Sequence, residues 1–189
     1  MRTALIDAAA KLFADRGPPE SSVRDVAEAA GVNHGLVHRH FGSKDGLLRA
    51  VMQHLADEVA GAMGPVDPDE GLRAALAAGM RSTEAGDRHW RILSRLLLDG
   101  VDPGELQGGY PTLSRLLEAA RRDPSLKGIG PDPETRVVVA TVYAMGMLLF
   151  GPFARAALDL PDDRWTEIRR QCDRLIAASL MSGDAPGQG

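Results

Sequence analysis

The chain has 189 residues, enough for one large or two small domains, and 44% of them are hydrophobic, which can build a real core. The charged fraction of 25% and the formal net charge of −4 are ordinary for a soluble globular protein. A single cysteine, Cys172, excludes an internal disulfide, and the N-terminus lacks the apolar stretch of a signal peptide, so we expect a cytoplasmic protein.

Apolar residues recur at spacings of three and four along nearly the whole chain, which predicts an all-α protein. Ser22, followed three residues later by an acid, starts the second helix as in a capping box, and Gly31 ends it after two turns. Ser43 caps the fourth helix, and loops are predicted at 101–111 and 121–134. The predicted helices, about nine in all, cover residues 2–15, 22–30, 33–40, 43 to the linker at 61–71, 69–85, 88–99, 111–123, 133–158 and 162–181.

The segment "GAMGPVDPDEG" at 61–71 combines glycine, proline and aspartate and is the clearest linker. Residues 1–54 carry seven basic and six acidic side chains, whereas the remaining 135 residues carry fifteen and twenty. A neutral-to-basic head on an acidic body is therefore predicted. We divide the chain into two helical domains, one at 1–58 and one at 59–189.

One short segment stands out chemically. From Ala29 to Lys44 there is no carboxylate, yet the segment holds three of the five histidines, an arginine and a lysine. Two short helices joined at Gly31 match a helix-turn-helix, whose second helix lies in the major groove of DNA. A helix that faces phosphates should carry no acid, and this one carries none.

The chemistry of each side chain suggests its contact. Asn33, His34 and Leu36 begin the third helix and are predicted to reach base edges, since asparagine can bind adenine and leucine can meet a thymine methyl. Gly35 allows a close approach. The side chains predicted to contact phosphate are Ser22, His38, Arg39, His40 and Lys44.

These residues resemble a known family. The stretches "AAAKLFADRG", "SSVRDVAEAAGV" and "GLVHRHFGSKDGLL" look like the DNA-binding head of the TetR family of bacterial repressors, over about 50 residues. The remainder agrees with the family in length and helix order only. The sequence differs from the family at His38, where tyrosine is usual. The resemblance implies a DNA-binding regulator, by default a repressor, with a ligand pocket in its body.

Three alternatives remain open. His34 and His38, four residues apart with His40 nearby, could ligate a metal, although no cysteine or carboxylate completes the set and we predict no metal and no cofactor. An enzyme is disfavoured, because the sequence has no phosphate loop or nucleophile motif and we assign no catalytic residue. A nucleoid-associated or partition-type DNA-binding protein of the same fold would need no ligand.

The body is expected to form a homodimer through its last two helices. The uncharged run at 137–154 is too apolar to be covered on one face only, and a helix buried by its neighbours is favoured over a membrane span. A four-helix bundle from two chains would bury both helices, although they could simply cover their own domain. The predicted interface residues are Phe153, Trp165, Ile168, Cys172, Leu175, Ile176 and Ser179.

A kink at Pro152 is expected to open space for a small apolar ligand. Binding of that ligand is expected to make the protein leave a palindromic operator. Each pocket residue has plain core packing as its alternative interpretation. The predicted pocket residues are Met80, Trp90, Leu93, Leu97, Tyr110, Thr141, Tyr143, Met145, Met147 and Phe150.

Overall fold

The structure is a computed structural model that describes residues 1–65, 67, 70–106 and 108–182, and for residues 84 and 85 it describes the backbone. The described residues form ten α-helices and a short 3₁₀ helix, η1, and contain no strand. The elements are α1 (Arg2–Arg16), α2 (Val23–Ala29), α3 (His34–Phe41), α4 (Lys44–Met63), α5 (Gly71–Ala85), α6 (Asp87–Leu98), α7 (Pro103–Leu106), α8 (Pro111–Arg122), η1 (Pro124–Leu126), α9 (Pro133–Ala157) and α10 (Asp162–Met181).

The predicted all-α fold with an N-terminal helix-turn-helix is confirmed, and each predicted helix begins within about two residues of an observed one. The differences are α7 and η1, which lie in the two predicted loops. Both follow an aspartate whose side chain accepts a backbone hydrogen bond two residues on, from Gly104 to Asp102 and from Ser125 to Asp123. Local capping of this kind folds a loop into a single turn.

Residues 1–62 and 85–111 form one compact unit. Its core joins apolar side chains of α1 to α4 with Ile92 and Leu96 of α6, both buried. Arg95 of α6 donates from Nη1 to the carbonyl of Ala14 at 2.9 Å and so closes the C-terminal end of α1. By its contacts α6 thus belongs with the head, although it lies beyond residue 58; the functional division at that residue stays a prediction.

The second unit contains residues 63–84 and the described residues from 112 onward. Its core packs α5, α8, α9 and α10 through side chains such as Leu72, Leu116 and Val137. Asp123, only 6% exposed, links two parts of this unit because it accepts hydrogen bonds from the backbone N–H of Leu72 and of Ser125, each at 2.9 Å. Burial raises the pKa of Asp123, but the hydrogen bond from the Ser125 hydroxyl, together with these two backbone bonds, outweighs it and lowers the pKa overall.

Helix α9 is the most apolar element of the chain. By length and composition alone Pro133–Ala157 could cross a membrane, and only 11% of its most apolar window is buried within the chain. The expectation that neighbouring helices bury α9 is therefore not met within one chain, because Val142, Phe150 and Phe153 are 66%, 69% and 73% exposed. The helix continues through Pro152 without interruption.

Asp123→Ala should lower the free energy of unfolding by about 2–3 kcal/mol, because it leaves the buried N–H of Leu72 without an acceptor. Asp132→Ala is the matched control: Asp132 accepts from Thr135 at the exposed start of α9, and its loss should be smaller. Urea unfolding at pH 7 measures both. Equal losses would contradict the linking role of Asp123. Since the pKa of Asp123 is lowered on folding, its contribution should be complete above about pH 4 and disappear below it.

Candidate nucleic-acid interface

Helix α2 begins with a complete capping box. The Ser22 hydroxyl accepts from the backbone N–H of Asp25 at 3.1 Å, and the Asp25 carboxylate accepts from the backbone N–H of Ser22 at 2.8 Å. The Ser22 hydroxyl and then its N–H lower the pKa of Asp25, which stays ionised. The predicted helix start is confirmed, and Ser22 itself remains exposed at the surface.

The turn between α2 and α3 depends on Gly31, whose φ of 66° lies in the left-handed region. The N–H of Gly31 bonds the carbonyl of Glu28 at 3.0 Å, and the N–H of Val32 bonds the carbonyl of Ala27 at 2.9 Å. This pair of bonds is a Schellman motif, which satisfies the last carbonyls of α2. The turn then sends the chain directly into α3.

Helix α3 has one buried side chain and a polar exposed face. Val37 is 1% exposed and packs into the core of the head, while Leu36 is half-buried. Asn33 is the N-cap, and its side-chain oxygen accepts from the N–H of Gly35 at 2.8 Å. A Cβ on Gly35 would lie 3.2 Å from that oxygen, which gives this glycine a local reason beside the predicted one. The exposed residues of this segment are Asn33, His34, Gly35, His38, Arg39 and His40.

His38 is oriented by the end of its own helix. Its Nδ1 lies 3.2 Å from the carbonyl oxygen of Gly42, which can only accept, so Nδ1 carries the proton in this contact. In the neutral ring the remaining nitrogen, Nε2, is then an acceptor. His38 can therefore donate from Nε2 to a phosphate only when the ring is protonated.

The start of α4 holds two of the residues discussed above. Ser43 accepts from the N–H of Gly46 at 3.0 Å, which confirms it as the cap. Lys44 is half-buried, and its Nζ donates to the carbonyl of Pro19 at 3.3 Å, which leaves it further protons. Gly46 is required by space, since a Cβ there would lie 2.1 Å from the carbonyl oxygen of Phe41.

A surface groove runs between α2 and α3, lined by Ser22, Val23, Arg24, His34 and His38. It brings three of the predicted contact residues together and adds Arg24, which the sequence analysis missed. The signal was available, because Arg24 follows the N-cap of α2 by two residues and projects from the first turn of the helix that supports α3. Within the described residues no group of three or more ligating side chains is placed to hold a metal.

The predicted pocket residues are distributed over both units. Trp90, Leu93, Leu97 and Tyr110 belong to the first unit, and the other six belong to the second. Of the predicted polar groups, Tyr110 donates to the carbonyl of Pro103 and Tyr143 donates to Asp173 at 2.6 Å.

Burial and then the Asp173 bond raise the pKa of Tyr143, so its hydroxyl stays neutral. Thr141 donates to the carbonyl of Val137 within α9. Met80, Met145 and Met147 are half-buried, and Phe150 is exposed. The pocket as a whole stays a prediction.

The predicted interface residues lie on α9 and α10. Phe153 and Leu175 are 73% and 71% exposed, and Ser179 is exposed as well. The remaining four predicted interface residues are partly exposed in the single chain: Trp165, Ile168, Cys172 and Ile176. Their role also stays a prediction.

Comparison with known proteins identifies the family to which this helix-turn-helix chain is similar. A profile described as bacterial regulatory proteins, tetR family, matches residues 5–51, which run from α1 into α4. The chain is 37% identical over 179 residues to the HTH-type transcriptional repressor Rv3405c of Mycobacterium tuberculosis, a match that covers 94% of this chain and 87% of that protein.

Solved structures share the fold. The TetR family transcriptional regulator PfmR of Thermus thermophilus aligns with a TM-score of 0.64 at 20% identity, covering 99% of this chain and 98% of that one. A putative TetR-family transcriptional regulator from Rhodococcus sp. aligns with a TM-score of 0.67 at 20% identity, covering 95% of each chain. The chain belongs to the TetR family of helix-turn-helix, DNA-binding transcriptional regulators.

Proposed function

We propose that this protein is a homodimeric, cytoplasmic repressor that binds a palindromic operator through α3 and leaves it when a small apolar ligand binds the body. The observation that carries the proposal is the face of α3. Val37 anchors the helix in the core, whereas His34, His38 and Arg39 are exposed, with no acid between residues 29 and 44. Such a face suits the major groove and its flanking phosphates.

The exposed apolar side of α9 and α10 supports the dimer. Val142, Phe150, Phe153 and Leu175 are each more than half exposed, and an apolar surface of this kind favours a partner. A second copy of the same chain would cover it and would place two copies of α3 for two half-sites. The same contact explains why α9 is apolar, so no membrane is needed to explain its composition. We infer no catalytic role, since the family and its named relatives are transcriptional regulators.

The ligand is the second part of the proposal. The half-buried methionines of the body give adaptable apolar surface. A ligand that prefers the released state by about 1–3 kcal/mol would weaken operator binding about 5–150-fold.

The direct test is to recover the fragments of the source genome that the purified chain retains. We expect a few fragments with inverted repeats whose half-sites lie about 34 Å apart. Dense retention of fragments without a shared repeat would overturn the operator and favour a nucleoid-associated protein.

Arg24→Ala and Arg39→Ala should each weaken binding to a retained fragment about tenfold and lower the slope of log affinity against log salt by about one, because each removes one phosphate contact. Fluorescence anisotropy over a range of KCl concentrations measures both quantities. Arg91→Ala is the control, since Arg91 is exposed on α6 and pairs with Asp87. A loss as large for Arg91→Ala, or none for Arg39→Ala, would contradict the assigned face.

Operator affinity should be higher at pH 5.5 than at pH 8, because Nδ1 of His38 contacts the Gly42 carbonyl and only a protonated ring can also donate from Nε2. The combined variant His34→Gln, His38→Gln should remove most of this dependence. Anisotropy between pH 5.5 and 8 measures it, and an equally steep dependence in the variant would assign the effect to other groups.

Phe153→Asp should raise the dimer dissociation constant about a hundredfold or more, because each of two symmetric copies loses a buried aromatic ring and gains a charge. Leu98→Asp is the control: Leu98 is 88% exposed on α6, outside the proposed interface. Sedimentation velocity measures the dimer fraction, and an unchanged dimer in Phe153→Asp would refute this interface.

A further inference from the structure

A small cavity lies in the first unit, between α4 and the first turn of α6. It has a volume of about 280 Å³ and is lined by Leu55, Glu58, Val59, Gly86, Arg88 and His89. None of these residues belongs to the predicted apolar pocket. The volume equals that of roughly nine waters and lies just below the range of pockets for drug-sized ligands, so it suits a small metabolite.

His89 is the most informative lining residue. It is only 3% exposed, and its Nδ1 is buried without a hydrogen-bond partner among the side chains and backbone groups that the structure describes. It stands on the buried face of α6 ahead of Ile92 and Leu96, at a position where an apolar side chain would pack without loss. The next residue, Trp90, likewise has a buried Nε1 without a partner. Neighbouring residues thus bury two nitrogens that can each bind a polar group in this cavity region.

The state of the ring restricts what that group is. Burial lowers the pKa of His89 to about 4, so the ring is neutral at pH 7. A neutral imidazole offers one donor and one acceptor, and the Trp90 indole offers a donor only. Because the indole can only donate, the occupant includes an acceptor, as a carboxylate does.

The mouth of the cavity carries one charge of each sign. Glu58 and Arg88 are both exposed, and in the described part of the chain Arg88 takes part in no ion pair. The inner wall is apolar at Leu55 and Val59. We propose that this cavity binds a small zwitterion of the α-amino acid class, with its carboxylate toward Arg88 and His89 and its ammonium toward Glu58.

Side-chain contacts also link the proposed site to α1, the first helix of the DNA-binding head. Glu58 lies 3.4 Å from Nε2 of His54, which lies 3.7 Å from the carboxylate of Asp7 on α1. An ammonium group that draws on Glu58 competes with His54 for it and alters this contact between α4 and α1. The inference goes beyond the apolar ligand proposed above, and occupancy of the site does not depend on operator binding.

The experiment records the histidine ring resonances of the full chain by NMR, without DNA, while individual free L-amino acids are added at millimolar concentration. The His89 signal is assigned by substituting the other four histidines in turn. At least one amino acid should shift the His89 signal, and its amide and deaminated analogues, which lack one charge each, should bind about tenfold more weakly.

Two surface variants keep the test independent of folding. Glu58→Gln and Arg88→Gln should each weaken the same amino acid about tenfold, whereas Arg91→Gln on the exposed side of α6 should leave it within about twofold. If no amino acid shifts His89, only water satisfies the ring and the proposal falls. It falls too if the single-charge analogues bind equally well or if Arg91→Gln weakens binding as much. Operator binding measured on the same samples keeps a failure of this site separate from a failure of the proposed function.

Discussion

The seating of α3 on the core of the head constrains everything that the protein does. Eight residues make little more than two turns, and among them Val37 is buried and Phe41 packs partly buried against the same core, so these two side chains fix which face of the helix turns outward. Gly31 sets the direction of entry and the Asn33 side chain caps the first turn, so the N-terminal end of α3 is fixed, and at the other end the N–H of Gly42 bonds the carbonyl of His38 at 2.9 Å. Because the core side needs so little, the outer side is free to carry polar and basic side chains. A carboxylate on that side would repel phosphate.

Local chemistry made the elements predictable. Ser22, Gly31 and Ser43 each satisfy or redirect a few neighbouring backbone groups, so their positions in the sequence were enough to place helix ends. The acid-free segment was predictable for the same reason, since charge is visible without any fold. The roles of individual side chains were less so. The Asn33 oxygen serves as a cap, and Lys44 reaches Pro19, whereas the sequence suggested only nucleic-acid contacts for these two residues.

Contacts between residues far apart in the chain could not be predicted from the sequence. Arg95 closes α1 across 81 positions and thereby draws α6 into the head, and Asp123 ties the start of α5 across 51 positions. Nothing near either residue signals its partner. The unsatisfied ring of His89 is a third case, because a histidine within an apolar stripe shows its lack of a partner only once its surroundings are known. The exposed side of α9 is a fourth, since an apolar run looks the same whether its own chain or another covers it.

Amide hydrogen exchange of the full chain, measured with and without a retained genomic fragment, tests the seating of α3 most directly. This seating predicts slower exchange at residues 33–47, where α3 and the first turn of α4 meet the duplex. Exchange in the loop 17–21 should slow to a smaller extent, because Lys44 donates a hydrogen bond to the carbonyl of Pro19 in that loop. Unchanged exchange over 33–47 together with slower exchange elsewhere would contradict it, because the duplex would then bind another surface of the chain.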